Sequence, residues 1–450
     1  MNQQYNPFGS GQGNNVPHQS GQNGQPNYTG SGEYPPNRPP YENNPYQQPY
    51  GAPNQNPQQS YYNAPPYGQQ PYSPPPYGRP TYYQPPYGQQ PYYGAPYGGP
   101  RYNSNIQQNY ANVSNADAKS FAQHMQSEFE RQQKIKAQKR EIRRFGNSMG
   151  LAIIGYLVLQ TIFSFMLEPL GLIEYYQNSS IFQNAFNLIC VSVLSVALPF
   201  GIAAWANKDH YEHQLIPTKS ITFPKLAMWV GFGMLCCIGA NFVVSLGVIP
   251  LFRVFGFELR QSETSSPDSV FACIISLIAT AVVPAICEEF AMRCCGGQLL
   301  RKYGKPFAVF AVSIVFGLLH GNVIQFVFAF LVGLVLGFVT VKTDSILPAL
   351  LIHAMNNGMS VVSDIMTYAV SEKAGETSTM VLYVFWLVAG IAATVLLAVK
   401  NELKVEKEPA PKDDAALSFG QKMASFFFVP CMIIPLLSLI FFTLTTIEKI

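Results

Sequence analysis

Charged side chains are scarce: Asp, Glu, Lys and Arg make up 12% of the 450 residues, about half their share in an ordinary soluble domain. So few charges cannot clothe a set of soluble domains of this total length. The formal net charge of +3 is too small to attract nucleic acid, and no such partner is expected. The eight cysteines have no C-x-x-C spacing, and no H-E-x-x-H pair occurs, which removes the familiar zinc patterns. Neither a strand–turn–helix nucleophile elbow nor an exposed Cys/His arrangement points to a serine or cysteine peptidase. The cysteines read instead as small packing residues in or beside apolar runs. The first hundred residues lack the apolar core of a signal peptide, so the N-terminus is expected in the cytoplasm.

What is present divides sharply. Residues 1–115 are rich in Pro, Tyr, Gln, Gly and Asn, and Pro-Pro-Tyr-Gly-Gln-Gln-Pro-Tyr occurs at 65–72 and again at 85–92. With few aliphatic residues to bury, this tail is expected to be disordered and is a candidate docking segment for a protein partner. Residues 116–147 form a basic neck. Lys134, Lys136, Lys139, Arg140, Arg143 and Arg144 suit the anionic headgroups of a cytoplasmic leaflet.

Beyond the neck come nine apolar runs, roughly 149–167, 182–206, 226–251, 270–290, 307–320, 323–341, 346–366, 380–399 and 424–444. Most approach the roughly 20 helical residues that cross a hydrocarbon core, and only helices or closed barrels satisfy their own backbone in lipid. The expected fold is therefore an all-α membrane bundle of about eight or nine spans in all, divided into a transmembrane bundle (148–400), a charged linker (401–422) and a final span (423–450). Basic residues concentrate on one side, in the loops carrying Lys208, Lys219, Lys225, Arg301, Lys302, Lys305, Lys342, Lys400 and Lys404. The positive-inside rule then places that side and the N-terminus in the cytoplasm of a multi-pass cell-membrane protein.

Ionisable residues inside spans mark function or paired structure. Glu288 and Glu289 follow the apolar run 281–287, with Pro284 expected to kink the helix just upstream. Arg293 lies four residues after Glu289, within pairing reach on a helix. That leaves Glu288 to face a cavity or a partner. His320 ends a short apolar run, whereas the other histidines apart from His353 lie outside such runs. His353 and Asn357 share a helical face that Ser360 and Asp364 continue as one polar stripe. Structural readings stand beside these, since Glu289–Arg293 can be a plain salt bridge and a membrane histidine a packing residue. A carboxylate and two histidines can activate a water or hold a divalent metal, and an asparagine amide can donate to an oxyanion.

In order, Glu288-Glu289-x-x-x-Arg293, Phe316-x-x-x-His320 and His353-x-x-x-Asn357 resemble the CAAX protease and bacteriocin-processing family of intramembrane peptidases. Phe330-x-x-Gly333-x-x-x-Gly337 and Ser345-Ile346 resemble the family's lead-in to its last motif, and the likeness covers roughly 269–364, the expected peptidase core of the bundle. The resemblance implies hydrolysis of a hydrophobic or membrane-associated peptide. It implies that Glu288 and His320 activate the water, that His353 and Asn357 complete the site, and that Glu289 and Arg293 support it. The family is named for metalloproteases, so zinc held by His320, His353 and Glu288 stands beside a metal-free glutamate-activated water. The competing readings are a proton-coupled transporter and a non-catalytic scaffold working through the tail. One difficulty is depth: on straight helices His320 lies about 20 Å along its span and His353 about 10 Å, so tilt or kinks must bring them together.

Overall fold

The computed structural model describes residues 115–260, 266–404 and 416–450. The Pro/Tyr-rich tail and residues 405–415 of the charged linker lie outside the described residues. The described chain is a helical bundle built to cross a membrane. Six helices are long and apolar enough to span, and a bent pair at the C-terminus makes a seventh.

Helix α1 (Asn115–Met166) runs for 52 residues without a break, so the basic neck and the first span are one helix. After the short α2 (Ile173–Asn178) come α3 (Ser180–Ala206), α4 (Phe223–Val254) and α5 (Val270–Arg301). Helix α5 extends past the expected end at 290, so the Glu-Glu-x-x-x-Arg motif sits inside a continuous helix. Its turns widen to the π pattern over Leu277–Val282 and Phe290–Gly297, a local change frequent at functional sites. Helix α6 (Lys305–Leu318) has 14 residues and is too short to span alone. It turns at Gly321, whose φ is +60°, into α7 (Val323–Thr343). Helix α8 (Leu347–Ala369) is 23 residues long but is less apolar than the six, because it carries the polar stripe. Helix α9 (Glu372–Val399) follows.

The single final span expected from the sequence is two helices, α10 (Phe419–Phe427) and α11 (Pro430–Leu444), bent by 84°. Pro430 is the cause: proline begins a helix well, but pushes the residue before it out of the helical region, and Val429 is extended at φ −124°, ψ 148°. The pair packs on α1. Gly146 and Gly150 let it come close, since a Cβ there would stand 2.2 Å from the Phe426 carbonyl oxygen and 2.1 Å from that of Cys431. Those glycines flank Asn147-Ser148-Met149, which gives a G-x-S-x-G spacing. It lies mid-helix, where Ser148 accepts a 2.7 Å hydrogen bond from Asn207, and is a packing motif rather than a nucleophile elbow.

Among the described residues one short β ladder and one isolated bridge, Thr218 to Ser345, interrupt the helices. Strand β1 (Phe257–Leu259) pairs antiparallel with β2 (Ile447–Lys449), and Arg260 forms an ion pair with Glu448. Two apolar clusters hold the bundle together, with α5 between them. One joins Ile142, Phe145, Met292, Phe307 and Phe426; the other joins Trp229, Met234, Leu336 and Ile352. Large apolar side chains along α9, such as Val384, Val388, Ile391 and Val395, are exposed, as befits a face turned to lipid. Gly333 and Gly337 seat α7 against α6, where added Cβ atoms would meet Ser313 and Phe316 at 3.1–3.2 Å and Val309 at 2.8 Å. Such small-residue spacing is how membrane helices approach closely.

Candidate active site

Helix periodicity puts Glu289 and Arg293 on one face of α5, and Arg293 Nη1 donates to Glu289 Oε1 at 2.8 Å. Both side chains are buried, at 0% and 2% exposure. Arg293 also donates through Nη2 to the Gly333 carbonyl at 3.1 Å. Its guanidinium lies over the Phe316 ring, 4.8 Å from the centroid. Three helices are thus fastened through one guanidinium.

The same Glu289 oxygen lies 3.0 Å from His353 Nδ1. A carboxylate that already accepts from an arginine accepts here too, so Nδ1 carries the proton and Nε2 is turned outward. Glu289 therefore orients a histidine as well as pairing with Arg293, a role the sequence spacing alone did not disclose. His353 Nε2 stands 3.8 Å from Glu288 Oε2, too far for a hydrogen bond but close enough for the two to act on one molecule. Glu288 keeps 20% of its side chain exposed, in contrast to its buried neighbour.

His320 Nδ1 lies 2.8 Å from the Phe316 carbonyl oxygen. A carbonyl only accepts, so Nδ1 is protonated and Nε2 is the free base. The two histidines, expected apart along their spans, meet around Phe316, one turn before His320. Its ring meets His353 at 5.9 Å and His320 at 5.0 Å, edge-on in both cases, and both imidazoles line one cavity. Asn357 Nδ2 donates to the Thr280 carbonyl at 3.3 Å, which leaves its second N–H unassigned.

Glu288, His320, His353 and Asn357 line one cavity of about 30 Å³, with Thr280 and Pro284 at its wall. That volume holds a water or two. All four residues expected to be catalytic thus come together, and both supporting residues stand directly behind them. Phe316, Thr280 and Gly333 join the site as packing and hydrogen-bond partners. Phe316 and Gly333 were legible as motif positions but not as contacts.

The donor set does not present a ready metal site. Among the described residues no three His, Cys, Asp or Glu side chains group closely enough to hold an ion. His353 Nδ1 and His320 Nδ1 both face oxygen acceptors, so Nε2 is the nitrogen that each ring would offer to an ion.

Residues 270–359 match the family model described as type II CAAX prenyl endopeptidase Rce1-like. The matched segment contains all six site residues and excludes α1, α3, α4, α9 and the C-terminal helices. No curated protein and no solved structure matches the chain. Over this segment the chain is similar to the prenyl endopeptidases that the family model describes.

Proposed function

We propose that the protein is an intramembrane endopeptidase that cleaves a hydrophobic or membrane-associated peptide by direct attack of an activated water. The observation that carries this reading is the asymmetry of the paired glutamates. Glu289 is sealed against Arg293 and His353, whereas Glu288 faces the cavity shared with both histidines and Asn357.

In the proposed cycle a water lies between Glu288 and the free Nε2 of His320. Glu288 takes one proton as the oxygen attacks the scissile carbonyl carbon, and the C=O electron pair moves onto its oxygen. The second amide proton of Asn357, which lines the same cavity, stabilises that developing oxyanion, a task worth several kcal/mol in comparable hydrolases, while the unprotonated Nε2 of His353 accepts from the attacking water. Collapse of the intermediate breaks the C–N bond, and Glu288 returns its proton to the leaving amine. Glu289 and Arg293 do not touch substrate; they fix the His353 ring and the spacing of α5, α7 and α8.

The test is cleavage of candidate membrane peptides, a prenylated CAAX-type peptide among them, by purified protein. Glu288→Gln and His320→Ala should each lower kcat by on the order of a hundredfold or more, with the folded state intact. Equal turnover by the parent and both variants would refute the peptidase reading.

A further inference from the structure

The polar stripe of α8 does not stop at the catalytic residues. Asn356, Ser360 and Asp364 follow at four-residue spacing toward the turn after Ala369, and all three are partly buried. A second cavity of about 30 Å³ lies beside this stripe, between α4, α8 and α9. Its wall carries Asn241, Asn356, Ser360, Thr379 and Tyr383 among apolar neighbours. Asn356 lines both this cavity and the catalytic one. It also donates to Asn357 Oδ1 at 3.3 Å, so the residue at the junction is tied to the oxyanion donor.

Ser360, Thr379 and Asn356 each donate to a protein oxygen and keep acceptor sites toward the gap, and five polar side chains around a gap in a bundle otherwise clothed in Val, Leu, Ile and Phe favour water there over lipid. Hydrolysis consumes one water per bond, and the hydrocarbon core of a bilayer supplies none. At 1.5 Å per residue, Asp364 stands about 10 Å along the helix from the α8–α9 turn. That turn exposes Ser371, Glu372, Lys373 and Glu376, as a segment at the aqueous boundary does.

We infer that the α8 stripe and the facing Asn241, Thr379 and Tyr383 form a hydrated path that delivers water from the α8–α9 turn through the Asn356 junction to Glu288. It rests on the hydrolase reading for its purpose, but access can be measured without any cleavage.

The probe is Ag⁺ from silver nitrate in chloride-free buffer, a cation close to water in size, with its addition to a thiol read by intact mass in proteoliposomes. Glu288→Cys is the reporter, the parent with its eight native cysteines is the blank, and Asn356→Cys is a second reporter at the junction. Glu288→Cys is expected to label above the blank. Adding Ser360→Leu should slow that labelling on the order of tenfold or more, because a charged reagent must shed its hydration shell to pass an apolar plug. Ser360→Ala should leave the rate unchanged. Ser164→Leu, in the separate groove that reaches His320 between α1 and α11, should also have no effect. The path is refuted if neither reporter labels, if Ser360→Leu leaves the rate unaltered, or if Ser164→Leu is the plug that works. A peptidase with such a result would still be a peptidase, supplied with water from another side.

Discussion

Replacing Arg293 with methionine removes one side of a pair sealed at 2% and 0% exposure. The Glu289 carboxylate would remain in the dry interior with only His353 Nδ1 to meet it. Breaking a buried pair from one side costs about 3–5 kcal/mol, because an uncompensated charge stays behind. The loss of the 3.1 Å bond to the Gly333 carbonyl and of the contact over the Phe316 ring acts in the same direction. Replacing both partners, Glu289→Leu with Arg293→Met, should behave differently. A buried pair exchanged for apolar residues of similar volume is often neutral or even more stable. Glu289 Oε2 and Arg293 Nε both lack a hydrogen-bond partner in the protein, so the exchange also removes two unmet polar atoms. The double variant is therefore expected to recover most of the thermal midpoint in detergent lost by Arg293→Met. It should not recover turnover, since His353 has lost the oxygen that fixes its ring. A double variant as unstable as the single one, or one that regains peptide cleavage with its stability, would refute the assignment of Glu289 as the orienting group.

Gly150→Ala should destabilise by about 1–3 kcal/mol, because its Cβ would stand 2.1 Å from the Cys431 carbonyl oxygen. Gly239→Ala, with nothing within 4 Å, should be neutral or stabilising in the same thermal assay. Phe316→Ala should cost about 3–5 kcal/mol of stability and lower kcat more than it raises KM, since the ring spaces both histidines. At the basic end, Arg301 donates to Asp344 at 2.7 Å, and this hydrogen bond holds the Asp344 carboxyl below the usual carboxylate range. Its folded value lies under its unfolded one, so the contribution is complete above the ordinary carboxylate pKa and vanishes as pH falls through the folded value. Asp344→Asn should be less stable than the parent at neutral pH, by a small margin because the side chain is half exposed. The difference should close on acidification when unfolding is followed against pH.

Much of the fold is written along the chain. Runs of twenty apolar residues can only be helices in lipid, and the polar residues interrupting α5 and α8 stand out because each is costly there. Helical spacing alone joined Glu289 to Arg293 and His353 to Asn357. Spacing reports only neighbours on one helix, however. The approach of Glu289 to His353 joins residues 64 apart in sequence, and no local pattern could supply it. The length of α1, the continuation of α5 past 290 and the 84° bend before α11 escaped for a related reason. Hydropathy registers where lipid begins and ends, not where a backbone stays helical beyond it.

The sequence by itself determined that this chain crosses a membrane as helices, and which few side chains are too polar to be there without purpose. Tertiary structure decided that Glu289 also meets His353 and that Glu288 shares one cavity with both histidines and Asn357. It also decided that Phe316 packs against both imidazoles and that the α8 stripe borders a second cavity. The physical reason is that identity and period fix what one helix can present, whereas burial and partnership depend on which helices pack against it.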